Sequence, residues 1–326
     1  MFDVICVGSS TVDAFARTEL CEMLHDKSNK EFIAYPLGAK ILVEEMHFTI
    51  GGGGTNSAVA FSRLGLKTAY LGKMGTRENS KRIVNQLKEE NVDTSLIVRS
   101  EKARTGYSIV LDTKNHDRTI LVFKGSNNDL GINEVKLNKL KTKWFYFSTM
   151  MGKSYKTLEK LADYAAKNNI KIAFNISSYL AKMGPSYLGK ILKKTSLLVL
   201  NKDEAGILVG KADIKKMLIK LNKLGPKIVS ITDGKKGVYV LYNKQIYYGK
   251  PHSKVKVVET TGAGDAFASS FLSGMIKKNN IEFAMKLGMT NAESVIQYHG
   301  AKEKLLTYNE ALKVMKKRPI KIIKSS

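Results

Sequence analysis

Apolar positions in this chain fall into short runs set between longer stretches of helical periodicity. Residues 2–8 read as a buried strand. From residue 144 onward the alternation is regular. Apolar runs at 144–147, 171–174, 197–200 and 228–232 are separated by helical patterns near 154–168, 182–193, 203–209 and 213–224. Strands alternating with helices predict a parallel sheet wound on both faces. Residues 14–50 are more polar. They carry the apolar pairs Ile33/Tyr35 and Ile41/Val43, which predict strands that leave the main sheet. Residues 68–71, 95–98, 107–111 and 119–123 are further strand candidates, the last two joined as a hairpin by Lys114-Asn115-His116-Asp117. A second hairpin, 238–242 with 245–248, turns at Asn243-Lys244.

One block carries more chemistry than the rest. A β-branched run (Val255, Val257, Val258) leads into a turn built on Gly262, Ala263 and Gly264. A helix is predicted from Asp265, with Phe267, Phe271, Leu272, Met275 and Ile276 on one stripe. Small residues let backbone amides approach a ligand. A helix N-terminus aims N–H groups and partial positive charge at the same point, which makes an anion hole. Asp265 puts a carboxylate inside it, where it can take a proton from a hydroxyl about to attack a phosphate. A simple helix cap would not need glycines on both sides of Ala263.

At 326 residues and 43% hydrophobic, the chain is long enough for one large α/β domain with an elaboration. Its formal charge of +25 raises the question of nucleic acid. The lysines are scattered over polar helix faces (Lys136, Lys139, Lys215, Lys216, Lys220) and are not interleaved with stacking aromatics, which favours a solvated lysine-rich face. Such a field still helps to attract ATP and other anions. Two cysteines, Cys6 and Cys21, give no disulfide framework or metal spacing, so a cytoplasmic location is expected. No apolar stretch has bilayer length, and no membrane partner is expected. The five histidines (His25, His47, His116, His252, His299) lack metal-ligand spacing.

Four further segments have both an ordinary and a functional reading. Gly51 to Gly54, between a strand and a helix from Asn56 to about Arg63, is entropically costly as a plain turn, which favours close approach of a ligand. Asp13, after the first strand, reads alone as a turn or N-cap residue. Asn201-Lys202-Asp203-Glu204 reads as a capped helix start at a strand's C-terminal edge, where doubly wound sheets bind ligands. The segment from Thr232 and Asp233 through Gly234 to Gly237 contains a common Asp-Gly turn pair. Two lookalikes fail. The segment from Gly184 to Lys190 resembles a phosphate-binding P-loop, but Ile191 stands where a hydroxyl is needed. Gly262 and Gly264 give a dinucleotide match in which Phe267 replaces the third glycine.

The Gly-Ala-Gly-Asp block at 262–265, with these segments in this order, resembles the ribokinase-like (PfkB) family of carbohydrate and nucleoside kinases. The resemblance runs from Asp13 to Gly300-Ala301. It implies a three-layer α/β/α fold with a mostly parallel central sheet and a small β-sheet lid. The whole of 1–326 would be one kinase domain, with lid elements within about 14–50 and 104–123. It further implies that Asp13, Gly52, Gly53 and Asn56 meet the acceptor, and that Arg118 and Lys124 lie near it or stand as solvated charges. Glu204 would orient hydrated Mg²⁺ after the Asn201 cap. Thr232, Asp233, Gly234 and Gly237 would carry the nucleotide's phosphates and ribose, with Asn291 on its adenine side. In related kinases the loop holding Glu259 and Thr261 lies beside a monovalent-cation site, which makes K⁺ a second candidate ion. The implied partners are ATP and a small sugar or nucleoside, with a homodimer formed through the lid.

Three function classes follow. The leading one is ATP-dependent phosphorylation of a sugar hydroxymethyl group, with a nucleoside acceptor as the near alternative. The second is a non-catalytic sugar-binding protein on the same fold, against which Asp265, Glu204 and the anion-hole glycines argue. The third, nucleic-acid binding, rests on charge alone.

Overall fold

In strand Phe2–Val7, Ile5 and Val7 face one side of a sheet and Val4 and Cys6 the other, and all four are fully buried. Period-2 alternation with both faces apolar requires cover on both sides. A computed structural model of the chain, describing residues 1–18, 21–112, 118–298 and 300–325, supplies that cover as two helical layers around a nine-stranded sheet. The strand order is Ile322–Ser325, Gln245–Gly249, Val238–Tyr242, Ile228–Thr232, Leu197–Asn201, Lys171–Asn175, Thr142–Phe147, Phe2–Val7 and Thr68–Leu71. Pairing is parallel from Ile228–Thr232 through to Thr68–Leu71 and antiparallel among the other three strands. The parallel strands therefore end along one edge, where Val7, Phe147, Asn175 and Thr232 give way to loops and Asn201 leads directly into helix Lys202–Val209.

Over that edge stands a second, four-stranded sheet, ordered Arg118–Phe123, Gly106–Asp112, Thr11–Arg17 and Glu45–Gly51. Its register sets Asp13 opposite Ser108 on one side and Thr49 on the other. Thr11, Asp13, Phe15, Ser108, Val110, Ile120 and Val122 consequently share the face that looks onto the edge. The small sheet has the character expected of the lid, with one difference. The strand carrying Asp13 belongs to the small sheet itself rather than to a turn after the first strand.

Several finer details add to or change the expectations. Residues 255–258 form no strand: Val257 is 40% exposed, and the segment is held by hydrogen bonds from the Val258 and Glu259 amides to the Ile296 carbonyl. The candidate at 95–98 contributes only Val98–Arg99, paired with Lys73–Met74 away from the main sheet. Ile33 lies in a separate hairpin, Glu22–His25 with Glu31–Ala34, but Tyr35, Ile41 and Val43 lie in no strand. The proposed turn at Lys114-Asn115-His116-Asp117, the side chain of Arg118 and His299 lie outside the described residues. Among the described residues no helix is long and apolar enough to cross a membrane.

Candidate active site

Gly262 caps helix Ala263–Lys278 in the left-handed region, at φ 79°. A Cβ there would stand 2.6 Å from Cα of Ala301, so glycine is required twice over, by angle and by space. Phe267, Phe271 and Leu272, all but fully buried, anchor the helix under the large sheet. The helix begins at Ala263, two residues before the expected start, which places Gly264 and Asp265 in its first turn. Gly264 needs no special angle, and a Cβ on it would meet nothing within 4 Å. Its space opens into a cavity. The helix N-terminus with its partial positive charge is thus directed at a void rather than at packed protein.

Asp265 lines two hollows, and the second of them leads on to a third. Its carboxyl faces cavity on one side and protein on the others. Burial raises its pKa to about 6, opposed by a hydrogen bond from Asn56 Nδ2 to Oδ2 at 3.0 Å and by the charge of Lys302. A carboxylate balanced near neutrality can both accept and release a proton.

The first hollow, about 320 Å³, lies between Asp265 and the small sheet. Gly52, Gly53, Ser148, Thr149 and Ser177 form its floor, and Asp13 with Lys124 stands in its wall. Asp13 Oδ1 is buried with no hydrogen-bond partner among the described residues. Lys124 Nζ lies 4.9 Å from the centre of the Tyr179 ring, and burial lowers its pKa, with the Asp13 charge acting the other way. The glycine run is explained by the protein's own packing as much as by a ligand. Cβ atoms at Gly51, Gly52, Gly53 and Gly54 would stand 1.9 Å from Asp13 Oδ2, 2.5 Å from the Ser9 carbonyl, 2.2 Å from Ser148 Oγ and 2.7 Å from the Gly8 carbonyl carbon.

The second hollow, about 220 Å³, runs from Asp265 past Gly262 and Gly264 to Asn201, Glu204 and Thr232. Parallel register sets Asn201 beside Thr232. Asn201 and Glu204 form a capping box: the Glu204 amide donates to Asn201 Oδ1 and the Asn201 amide to Glu204 Oε2, both at 2.8 Å. Burial raises the pKa of Glu204. The third hollow, about 250 Å³, shares Thr232 and Gly264 with the second and continues between Gly234, Gly237, Phe267, Met289 and Ala292. Its size and largely apolar walls suit a flat ring system.

Three expected residues sit differently. Asn56 does not line the first hollow, because its amide is committed to Asp265 and Lys302. The Asp233 carboxylate pairs with Lys202 Nζ at 3.0 Å and turns from the third hollow, which Thr232, Gly234 and Gly237 do line. Asn291 is fully buried, donating to Ser270 Oγ and accepting from the Leu306 amide, so its neighbour Ala292 forms the wall instead. Thr261 lines the first hollow. Glu259 does so too, with Oε2 accepting from the Gly300 amide at 2.9 Å, which ties the turn to the segment behind it. Among the described residues no three His, Cys, Asp or Glu side chains are grouped to hold a metal. Sequence reasoning missed Lys302, Tyr179 and Ser148. Lys302 offers no signal among so many solvated lysines, and the other two sit in loops or short helices without a motif.

The chain matches the pfkB family carbohydrate kinase model over residues 1–307. It is similar to an uncharacterized sugar kinase of Archaeoglobus fulgidus, 29% identical over 248 residues, covering 76% of this chain and 98% of that one. Its fold is similar to the nucleoside kinase of Methanocaldococcus jannaschii, an archaeal member of the ribokinase family, with TM-score 0.81 and 21% identity, covering 98% and 99% of the two chains. It is also similar to Arabidopsis thaliana ribokinase complexed with ribose and ATP, with TM-score 0.80 and 19% identity over 97% and 99%. With strands, lid, glycine turn and aspartate arranged in this way, and the family model spanning nearly the whole chain, this protein belongs to the pfkB family of carbohydrate kinases.

Proposed function

We propose that this protein transfers the γ-phosphoryl group of ATP to a hydroxymethyl oxygen of a sugar bound in the first hollow. The observation that carries this reading is Asp265, a carboxyl held near neutrality at a helix N-terminus where an acceptor-sized hollow meets a second hollow leading to a ring-sized slot. In the reaction the acceptor oxygen forms a bond to the γ-phosphorus as the bond to the bridging oxygen breaks. That electron pair leaves with ADP, and the hydroxyl proton passes to Asp265. The 262–264 turn and helix N-terminus meet charge developing on the phosphoryl oxygens. Asp13, Gly52 and Gly53 hold the acceptor, while Thr232, Gly234 and Gly237 hold the nucleotide. Closure of the small sheet excludes water.

Mg²⁺ arriving with the nucleotide would supply further charge neutralisation at the phosphates. Glu204 fits a role beside it, since a hard cation prefers oxygen donors and this carboxyl lines the second hollow. K⁺ beside Glu259 and Thr261 would brace the turn, which comparing turnover in potassium and tetramethylammonium chloride tests. The small sheet's face away from the hollow exposes Met46, Phe48, Ile109, Leu121 and Phe123, which supports a homodimer through the lid. Sedimentation velocity over a concentration series tests that.

A nucleoside acceptor is the second reading. It is favoured by the apolar part of the first hollow, Phe15, Val110, Ile120 and Val122, which suits a base better than a bare sugar. A panel of sugars and nucleosides, screened for acceptor-dependent ADP release with Asp265→Asn as control, decides between the two. Tight sugar binding with no turnover under any condition would instead mean a non-catalytic sugar-binding protein.

A further inference from the structure

Lys302 follows the Gly300–Ala301 segment that backs the Gly262 turn, and it is 8% exposed in a chain whose other lysines mostly stand in solvent. An ammonium group can only donate. Its Nζ reaches the Ile50 carbonyl and Asn56 Oδ1, the latter at 3.2 Å. The Lys302 carbonyl accepts from Arg63 Nη1 at 3.3 Å, and Arg63 is itself held by Glu90, so the residue is fixed at both ends. These contacts decide how Asn56 must lie. With its carboxamide reversed, an NH₂ group would face the ammonium and a carbonyl oxygen would face the Asp265 carboxylate. Both contacts would be repulsive. Lys302 therefore obliges Asn56 Nδ2 to donate to Asp265 Oδ2, at 3.0 Å. The other oxygen, Oδ1, lies on the cavity side, 3.5 Å from where a Cβ of Gly53 would stand.

We propose that Lys302 is a positioning residue for phosphoryl transfer: through Asn56 it fixes Asp265 Oδ2 to the protein and leaves Oδ1 to receive the acceptor proton. The role rests on Asp265 being the base. The charged groups facing Lys302 are Asp13, Asp265, Glu90 and Arg63, and the titratable groups facing Asp265 from other elements are Lys302, Glu204 and the neutral Tyr146 hydroxyl. Burial lowers the Lys302 pKa to about 8, with Asp13, Asp265 and Glu90 acting the other way, so the ammonium is present at neutral pH and is lost in mild alkali.

The test is Lys302→Met in the full chain, read in two ways. Asp265 is titrated by carbon NMR of labelled aspartate, its signal assigned with Asp265→Asn, and kcat is measured separately from KM for ATP. The expected result is a titration midpoint raised by roughly one pH unit through loss of a nearby opposite charge. Turnover should fall on the order of 10²-fold through misplacement of the base, with KM for ATP little changed. Lys302→Gln, which keeps a donor for Asn56 but no charge, substitutes if the methionine variant does not fold, with the same direction of titration. An unmoved midpoint overturns the proposal whatever the activity, as does a moved midpoint with unchanged kcat. A moved midpoint in a protein whose wild type transfers phosphate to no acceptor overturns the assigned reaction but leaves the Lys302–Asn56–Asp265 linkage standing.

Discussion

Two glycines separated by one residue should respond in opposite ways to the same added methyl group. At Gly262 the backbone is left-handed, which costs a non-glycine residue about 1–2 kcal/mol, and the new Cβ would lie 2.6 Å from both Cα and Cβ of Ala301. Relieving that overlap costs about 1–3 kcal/mol more, giving roughly 2–5 kcal/mol of destabilisation for Gly262→Ala. At Gly264 the angle is helical and the space is open, so Gly264→Ala should stabilise the nucleotide-free protein by a few tenths to about 1 kcal/mol through helix propensity. The methyl group would nevertheless occupy the volume where phosphate oxygens should sit. ATP turnover should fall on the order of 10²-fold, comparable to losing an oxyanion donor. Urea unfolding without nucleotide measures the first effect, and acceptor-dependent ADP release measures the second. Equal destabilisation in both variants would refute the account of the turn. A Gly264→Ala protein that is stabilised and fully active would refute an anion at this helix start.

Further outcomes follow from the site. Asp265→Asn should lower turnover by about 10²–10⁴-fold with ATP binding retained, as isothermal calorimetry with ADP can check. The folded-state pKa of Asp265, about 6, lies above the unfolded carboxylate range, so the native state loses stability as pH rises from about 4 to about 6 and remains penalised above that. A gap of roughly two pH units is worth at most about 3 kcal/mol, discounted to about 1–2 because the group faces open cavity. The asparagine variant should therefore unfold at higher urea than wild type at pH 7.5 but not at pH 4. Asp13→Ala should raise acceptor KM by about 10–100-fold, matching loss of a charged hydrogen bond of roughly 1.5–3 kcal/mol, and leave the ATP KM alone. Equal effects on both substrates would remove Asp13 from the acceptor site. Glu204→Gln preserves the capping box, since glutamine serves at that position, so any change is one of charge. Its half-activating Mg²⁺ concentration should rise and its activity recover at high Mg²⁺, whereas superimposable titrations would place Glu204 outside the reaction.

The large sheet was legible because its strands are buried on both faces and read as continuous apolar runs, as at 197–200. The lid was harder to read. Thr11–Arg17 sets Thr11, Asp13 and Phe15 toward a cavity and Val12 and Ala14 toward protein, and with polar and apolar residues mixed on the cavity side it shows no clean alternation. Helix Glu78–Glu89 buries only Ser80, Ile83 and Leu87, too narrow a stripe to stand out in a charged segment. Val255, Val257 and Val258 form no strand although they are β-branched, since such residues favour strands only when a partner edge is available. At the site, Asp265 was readable because its neighbours are glycines with a stated job. The commitments of Asn56, Asp233 and Asn291 were not, because a side-chain amide or carboxylate can turn toward ligand or protein and only tertiary neighbours decide.

Two carboxylates of the first hollow, Asp13 and Asp265, ride on different parts of the molecule. Asp13 is carried by the small sheet and Asp265 by a helix beneath the large one. Few chain crossings join them, among them the three residues Gly8 to Ser10 between strands Phe2–Val7 and Thr11–Arg17. In the proposed reaction an acceptor long enough to touch both would act as a brace, and its hydroxyl would be delivered to Asp265 only with the brace in place. In that reaction selection against wasteful ATP hydrolysis would need no dedicated gatekeeping residue, because it would follow from the reach of the molecule that bridges the two carboxylates.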